Sequence, residues 1–218
     1  MNTRISPTLA LVTMLLTALL ASCSLVGGSK DGPVIFAPDP RVEADPGWPL
    51  VNWQLSTNRP TAPSMMDSTR IAVSPVPGEL QVYKGAAWAR TPTEMLESGV
   101  LRALEDSGKI PAVARQGSGI GADYRLVMDL RHFEASYAGA AVPSAVIEVN
   151  VKLLHSYDQV VVGSRTFLHA QPATGTDVSV VADAFTRALG ATTHDIAGWV
   201  LTTGQAHDIT HPSTKQIP

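Results

Sequence analysis

The sequence is poor in the residues that build covalent or catalytic chemistry. Its 218 residues include one cysteine, Cys23, so an internal disulfide is excluded and the core must stabilise the fold unaided. No Gly-x-Ser-x-Gly nucleophile elbow is present, and the carboxylates lack the spacing of a catalytic pair. The absence of a basic run argues against nucleic-acid binding. These features favour a non-enzymatic protein with no cofactor and no metal.

A short apolar run near the amino terminus predicts a targeting signal. Residues 9–20 are almost wholly apolar but too few to span a membrane, which takes about 20 residues. Together with Arg4 they are typical of a secretory signal peptide. The run ends at Leu20-Ala21-Ser22-Cys23, which resembles the lipobox of bacterial lipoproteins. We therefore predict that residues 1–22 are removed and that Cys23 is lipidated. The alternatives are an ordinary cleavage site with a chance cysteine and an uncleaved anchor.

Lipidation at Cys23 would determine the location of the protein. Two or more acyl chains hold a protein stably in a bilayer, whereas one chain does so only marginally. Ser24 follows the cysteine, and in the lipoproteins that this segment resembles, Ser at that place allows transfer to the outer membrane. We predict a lipid anchor in the outer membrane with the domain on the periplasmic face. Retention in the inner membrane is the less favoured alternative.

Composition divides the rest of the chain. Residues 23–48 combine the lipidated end with a Gly- and Pro-rich stretch that predicts a tether. Residues 49–203 are long enough for one domain with its own core. Residues 204–218 are polar and without periodicity, which predicts a disordered tail.

Hydrophobic periodicity predicts the elements of the domain. Strands are expected at 50–56, 69–74, 79–83, 110–114, 123–137, 144–155 and 159–170. A helix begins at Thr91-Pro92, with Glu94 completing a near capping box, and Gly108 can end it. A second helix is expected over 177–201. The regular alternation of the last three strands predicts an antiparallel sheet with one buried and one solvated face.

The solvated face of that sheet is the predicted partner-binding surface. Its charged side chains are Arg125, Asp129, Arg131, Glu148 and Lys152. The same alternation places the apolar residues Val127, Phe133 and Val146 among these charges. Scattered apolar residues are normal on a surface, whereas a continuous patch would indicate a partner.

The histidines give a weaker signal. His207 and His211 have the i, i+4 spacing of a helical metal pair, but no third ligand is evident and both lie in the polar tail. We therefore prefer a solvated tail to a metal site. The strand residues His132, His155 and His169 are interpreted as hydrogen-bonded structural residues.

The order of motifs resembles the ABC-type transport auxiliary lipoproteins. The matching segments are the lipobox cysteine, residues 48–51, residues 67–73, Tyr83, Trp88, residues 124–133, residues 181–185 and Trp199. The resemblance covers about residues 48–201, and it implies a single α+β domain with two helices on one face of a mainly antiparallel sheet. It also implies a role beside an MCE-domain protein and its ABC permease and ATPase, which move lipids between the two membranes. Some members form rings, so the resemblance leaves a homo-oligomer open.

Two other functions compete with this one. A structural or assembly lipoprotein of cell-envelope complexes requires only the anchor, the tether and a small domain. A periplasmic hydrolase is disfavoured because the sequence lacks a nucleophile with its base.

Overall fold

The computed structural model describes residues 32–211, and the domain within it begins at Val34. The strands are β1 (Val34–Phe36), β2 (Leu55–Thr57), β3 (Arg70–Ser74), β4 (Gln81–Trp88), β5 (Val113–Arg115), β6 (Tyr124–Ser136), β7 (Ser144–His155) and β8 (Val161–Pro172). The helices are α1 (Pro92–Ser107) and α2 (Val178–Thr210). Each helix and strand predicted from the sequence is present, and β1 is an addition.

The sheet is organised around β6. One edge of β6 pairs antiparallel with β7 along nearly its whole length, and β7 pairs antiparallel with β8. The other edge is shared between two shorter strands, because β2 pairs parallel with the first residues of β6 and β3 with its last. β5 lies on the outer side of β2. On the outer side of β3 lies β4, and β1 lies beside β4 at the edge. The result is a mixed eight-stranded sheet, which corrects the expectation of a mainly antiparallel one.

A β-bulge in β6 changes which side chains enter the core. The register with β7 shifts between Leu130 and His132, so Arg131 is the inserted residue. One extra residue moves every later side chain to the opposite face. Phe133 is therefore 1% exposed and stacks on Phe185, with ring centroids 4.8 Å apart. Its predicted place on the solvated face was wrong.

The first helix forms where its local signals predict. The Thr91 amide donates to Glu94 Oε2 at 3.1 Å, and the Glu94 amide donates to Thr91 Oγ1 at 3.5 Å, which completes the capping box. Gly108 ends the helix with φ 62°, a left-handed conformation that favours glycine. α1 packs against α2, and α2 packs across β7 and β8. The opposite face of these two strands stays open to solvent.

Residues 34–48 belong to the domain and are not a free tether. β1 pairs parallel with β4, from Val34 beside Ala86 to Phe36 beside Trp88. Arg102 NH1 donates to Asp39 Oδ1 at 2.7 Å, which fixes the segment to α1. Trp48 lies against Gly198 of α2, where an added Cβ would be 2.5 Å from the indole Nε1. Pro-rich composition predicted an extended chain but carried no information about what that chain lies against.

The second helix is longer than predicted. It continues to Thr210, so residues 204–210 are helical, not part of a disordered tail. Gly204 packs directly on the ring of Trp53, which leaves no room for a side chain. Residues 212–218 of the predicted tail lie outside the described residues. Within the described part of the chain, neither helix combines the length and apolar character that crossing a membrane requires.

Candidate partner-binding surface

The sheet face turned away from α2, here called the open face, is built by strand alternation. It carries Arg125, Val127, Asp129 and Arg131 on β6, Val146, Glu148, Asn150 and Lys152 on β7, and Ser164, Thr166 and Leu168 on β8. The intervening residues are buried beneath the helix, as Met128, Val149 and Phe167 illustrate. All five residues predicted for partner binding lie on the open face.

Four of the five predicted residues lie in two hydrogen-bonded clusters on neighbouring strands. Arg131 donates from Nε to Asp129 Oδ2 and from NH1 to Glu148 Oε1, both at 3.4 Å. Lys152 Nζ donates to Asn150 Oδ1 at 3.0 Å, and Asn150 Nδ2 donates to Thr166 Oγ1 at 3.0 Å. Because Asn150 is the direct register partner of Asp129, the two clusters are adjacent and together reach across β6, β7 and β8. We call these residues the polar row.

Arg125 lies apart from the polar row. Its NH2 group donates to Gln159 Oε1 at 3.0 Å, beside the turn that joins β7 to β8. Gln159 has a positive φ of 60°, a conformation uncommon for a residue with a side chain. Arg125 therefore belongs to the end of the hairpin, while the other four predicted residues occupy the middle of the open face.

The charges of the polar row balance one another. The Arg131 side chain is 45% exposed, and its partners Asp129 and Glu148 are 46% and 23% exposed. Ion pairs this exposed contribute about 0–1 kcal/mol each. The row is thus an ordered set of donors, acceptors and both charge signs, which suits recognition of a polar protein surface. Its role in partner binding stays a prediction.

The far edge of β8 is the feature that the sequence did not predict. Among the described strands, β8 pairs only with β7, so its other edge is free. Leu168 is 60% exposed beside it. Alternation in a sequence tells which face a residue lies on but not whether a strand has one neighbour or two, so no local signal could have found this edge.

The strand histidines contact carboxylates. His132 Nδ1 lies 2.7 Å from Glu134 Oε1, His155 Nδ1 lies 3.0 Å from Asp158 Oδ1, and His169 Nε2 lies 3.2 Å from Asp195 Oδ2. His207 and His211 stack on each other with centroids 4.7 Å apart. Within residues 32–211, no group of three or more potential ligands is placed to hold a metal ion.

His207 ties the end of α2 to the sheet. Its Nδ1 lies 2.9 Å from the hydroxyl of Tyr124, the first residue of β6. Burial lowers the pKa of His207, and the neighbouring imidazoles of His211 and His155 lower it further. Burial, with Asp208, Asp123 and Asp158 nearby, raises the pKa of Tyr124 to about 12. The Tyr124 hydroxyl also lies 3.4 Å from the Gly204 carbonyl, to which it can donate, so these contacts anchor the end of α2 to β6.

Cys23, the predicted lipidation site, lies outside the described residues. Its modification stays a prediction from the sequence.

Comparison with known proteins gives a family match over most of the domain. A sequence model described as "ABC-type transport auxiliary lipoprotein component" matches residues 34–197. The crystal structure of a Xanthomonas campestris protein assigned to DUF330 is 53% identical, covers 81% of this chain and 99% of its own, and superposes with a TM-score of 0.79. An uncharacterised protein that is 15% identical superposes with a TM-score of 0.56, covering 72% of this chain and 97% of its own, which shows a shared fold alone. None of the curated proteins matches significantly.

Proposed function

The chain belongs to the ABC-type transport auxiliary lipoproteins, and from this membership we propose that it serves an MCE-type ABC transporter that moves lipids between the inner and outer membranes. It would do so as a non-enzymatic component on the periplasmic face of the outer membrane, anchored through Cys23. The family match over residues 34–197 is the observation that carries the proposal. It agrees with a sequence that has a lipobox and no nucleophile elbow.

The open face is the surface we assign to the transporter partner. The polar row is ordered by its own hydrogen bonds, so little side-chain entropy remains to be lost when a partner binds. It presents both charge signs, which gives a partner a specific pattern to match and fixes the orientation of docking. Lys152 is an exposed cation of the row that makes no ion pair within it, and its ammonium group donates a hydrogen bond to Asn150 Oδ1.

Affinity purification from native membranes tests the proposal. The full-length tagged chain, solubilised in mild detergent, should recover an MCE-domain protein together with its permease and ATPase. Lys152→Glu should reduce that recovery severalfold, since it reverses the charge at the middle of the open face. Lys84→Glu is the matched control, because Lys84 is an exposed lysine on β4 outside the open face.

Two outcomes would contradict the proposal. Repeated recovery of no transport component would remove its basis. Recovery of a cell-wall synthase or a β-barrel assembly protein would instead assign the chain to envelope assembly. If Lys152→Glu and Lys84→Glu behave alike while the MCE protein is recovered, the function stands and the assignment of the open face fails.

The anchor is tested separately by Cys23→Ala. The variant should leave the membrane fraction or accumulate unprocessed, because no acyl chain can be attached to alanine. Metabolic labelling with a radioactive fatty acid, followed by membrane fractionation, makes the measurement, with Ser22→Ala as the control that keeps the thiol. A mature, labelled, membrane-bound Cys23→Ala protein would refute lipidation at this site.

A further inference from the structure

The free edge of β8 carries a regular set of unpaired backbone groups. The Ala173 amide donates to the Pro143 carbonyl at 3.0 Å, and the register of β7 with β8 has no shift from there back to Leu153. In an antiparallel pair, the backbone N–H and C=O groups of successive residues point alternately toward the partner strand and away from it. This one bond therefore determines which β8 residues direct their backbone groups to β7 and which direct them outwards. The outward residues are Ser164, Thr166, Leu168 and Ala170. Within the described part of the chain, no strand pairs with this edge.

The last residue of β8 independently supports this assignment of the residues that face outwards. The carbonyl of Pro172, which faces outwards in this alternation, accepts hydrogen bonds from Arg187 NH2 and Gln171 Nε2, each at 3.4 Å. It is thus satisfied by side chains and not by β7. Within residues 32–211, no side chain takes this role for the four outward residues before it. Long free edges of this kind are normally covered, because they are templates for another strand.

A groove runs along the same edge, between β8 and α2. It has a volume of about 280 Å³, with Arg165 and Phe167 of β8 on one side and Asp195, Trp199 and Thr202 of α2 on the other. Trp48 and His194 also line the groove, and Trp48 covers Gly198. On the edge side of α2, the small residues that stay exposed are Thr202 within the groove and Ala206 one turn beyond it.

We propose that β8 pairs antiparallel with β8 of a second copy of this chain, in a register centred on Phe167, so that one sheet continues across a two-fold axis. Two identical antiparallel strands are related by a two-fold axis, and only registers that place outward residues opposite each other form hydrogen bonds. Centring on Phe167 sets Thr166 opposite Leu168 and Ser164 opposite Ala170. It pairs all four outward residues. A shift toward the carboxyl end sets Ser164 opposite Pro172, which has no amide proton, and a shift toward the amino end sets Ala170 opposite Val162, where the regular register with β7 breaks.

The side chains at this register are complementary. Arg165 lies opposite His169 of the second copy, and His169 Nε2 is 3.2 Å from Asp195 Oδ2. Each guanidinium would thus face a carboxylate across the interface, twice by symmetry. At present Arg165 lies over the ring of Phe167, 4.9 Å from its centroid, where it is exposed and can turn outwards.

The helix layer also fits. Because α2 packs over both β7 and β8, its axis lies roughly half a strand spacing inside the edge. The two-fold operation then places the two α2 axes roughly 10 Å apart, within the usual range for packed helices. This dimer does not rest on the proposed transport role, since it follows from the edge and the groove alone.

Disulfide trapping in membranes tests the register. Thr166→Cys and Leu168→Cys are introduced singly into two differently tagged full-length chains that are produced together. Residues opposite each other in a hydrogen-bonded antiparallel pair have Cα atoms about 5.5 Å apart, within the range that a disulfide spans. Mild oxidation should yield a heterodimer carrying both tags, at about fivefold or more over the off-register pair Ser164→Cys with Thr166→Cys. The unsubstituted pair controls for any thiol remaining at Cys23.

The protein mass of the purified full-length chain in detergent provides the second measurement. Light scattering should give a dimer for the native chain and a monomer for Thr166→Pro, which removes an outward amide and the side-chain hydrogen bond from Asn150 but no backbone bond to β7. Ile209→Lys is the control, since Ile209 is 71% exposed and lies on the last turn of α2 and not on β8. Circular dichroism establishes that Thr166→Pro is folded; if it is not, the trapping experiment decides.

Four results would overturn the proposal. The first three are equal trapping at on-register and off-register positions, a native chain of monomeric mass, and a folded Thr166→Pro chain that stays dimeric. Trapping of a different protein through Thr166→Cys, without the second tag, would assign the edge to that partner and refute pairing with a second copy.

Discussion

The contact between Gly204 and Trp53 makes a sharp prediction about α2. An added Cβ at Gly204 would lie 2.9 Å from Cη2 and 3.1 Å from Cε2 of the indole, and closer still to Cζ2. Trp53 is 1% exposed, and its ring has Tyr124 at a centroid distance of 4.8 Å on another side. The ring therefore has no free space into which it could move. Gly204→Ala should destabilise the domain.

Two opposing effects determine how much Gly204→Ala lowers the free energy of unfolding. Replacing glycine by alanine within a helix favours folding by roughly 1 kcal/mol. Forcing an extra carbon into a packed core costs about 1–3 kcal/mol, and the rigid ring puts this site near the upper end. The net loss should be about 1–2 kcal/mol, or a fall in Tm of about 2–8 °C for a domain of this size. Gly190→Ala is the matched control, because its Cβ would meet only Pro40, at 3.2 Å near the surface.

Urea unfolding followed by circular dichroism measures both variants. Gly190→Ala should leave the free energy of unfolding within about 0.5 kcal/mol or raise it, since the helix gains more than the contact loses. Trp53→Phe should offset part of the Gly204→Ala loss, with a coupling energy of about 1 kcal/mol in a double-mutant cycle. If Gly204→Ala is as stable as Gly190→Ala, or if the cycle shows no coupling, the reasoning is refuted.

Two further predictions concern His207 and the bulge in β6. Because burial depresses the pKa of His207, the unfolded chain binds its proton more readily, so stability should be greatest above about pH 6.5 and fall as the pH drops through the lowered value. Tm measured at about pH 7.5 and about pH 5 should show this fall, and His207→Gln should flatten it; an unchanged slope would place the effect elsewhere. Phe133→Ala should cost about 3–5 kcal/mol, as for any large core truncation, whereas Val127→Ala on the open face should cost less than about 1 kcal/mol. If urea unfolding showed the same loss of unfolding free energy for both variants, the alternation of β6 would have to continue unbroken through Arg131.

The parts of the fold that sequence predicts are those with local causes. The capping box at Thr91 and the left-handed turn at Gly108 each depend on only a few neighbouring residues. The sequence therefore predicts both ends of α1. The alternation of β6, β7 and β8 is equally local, and it placed Asp129, Arg131, Glu148 and Lys152 on one face. The bulge has no such cause, because neither Arg131 nor His132 is a residue that marks one.

The parts that sequence did not predict depend on distant contacts. β1 has three residues, too few to show a period, and it exists because it pairs parallel with β4 far along the chain. β2 and β5 are present but are shorter than the strands predicted at 50–56 and 110–114, since distant parallel pairing decides where they form. The last turns of α2 read as a polar tail, yet Trp53 and Tyr124 hold them in place. The candidate site divides in the same way, since the polar row could be predicted and the free edge of β8 could not.

The shared edge of β6 has a consequence for the order in which the chain can fold. β6, β7 and β8 are joined by short turns, and α2 follows at once to cover them, so this half can assemble from neighbouring contacts. β3 and β4 can also pair locally, and β1 can join them, but β2 pairs only with β5 and β6 far along the chain. Pairings between distant residues form late. A chain that is exported amino terminus first would thus keep β2 unpaired, and the β3 edge of the first three strands uncovered, until β6 has emerged, and during that interval their apolar side chains would need protection from aggregation.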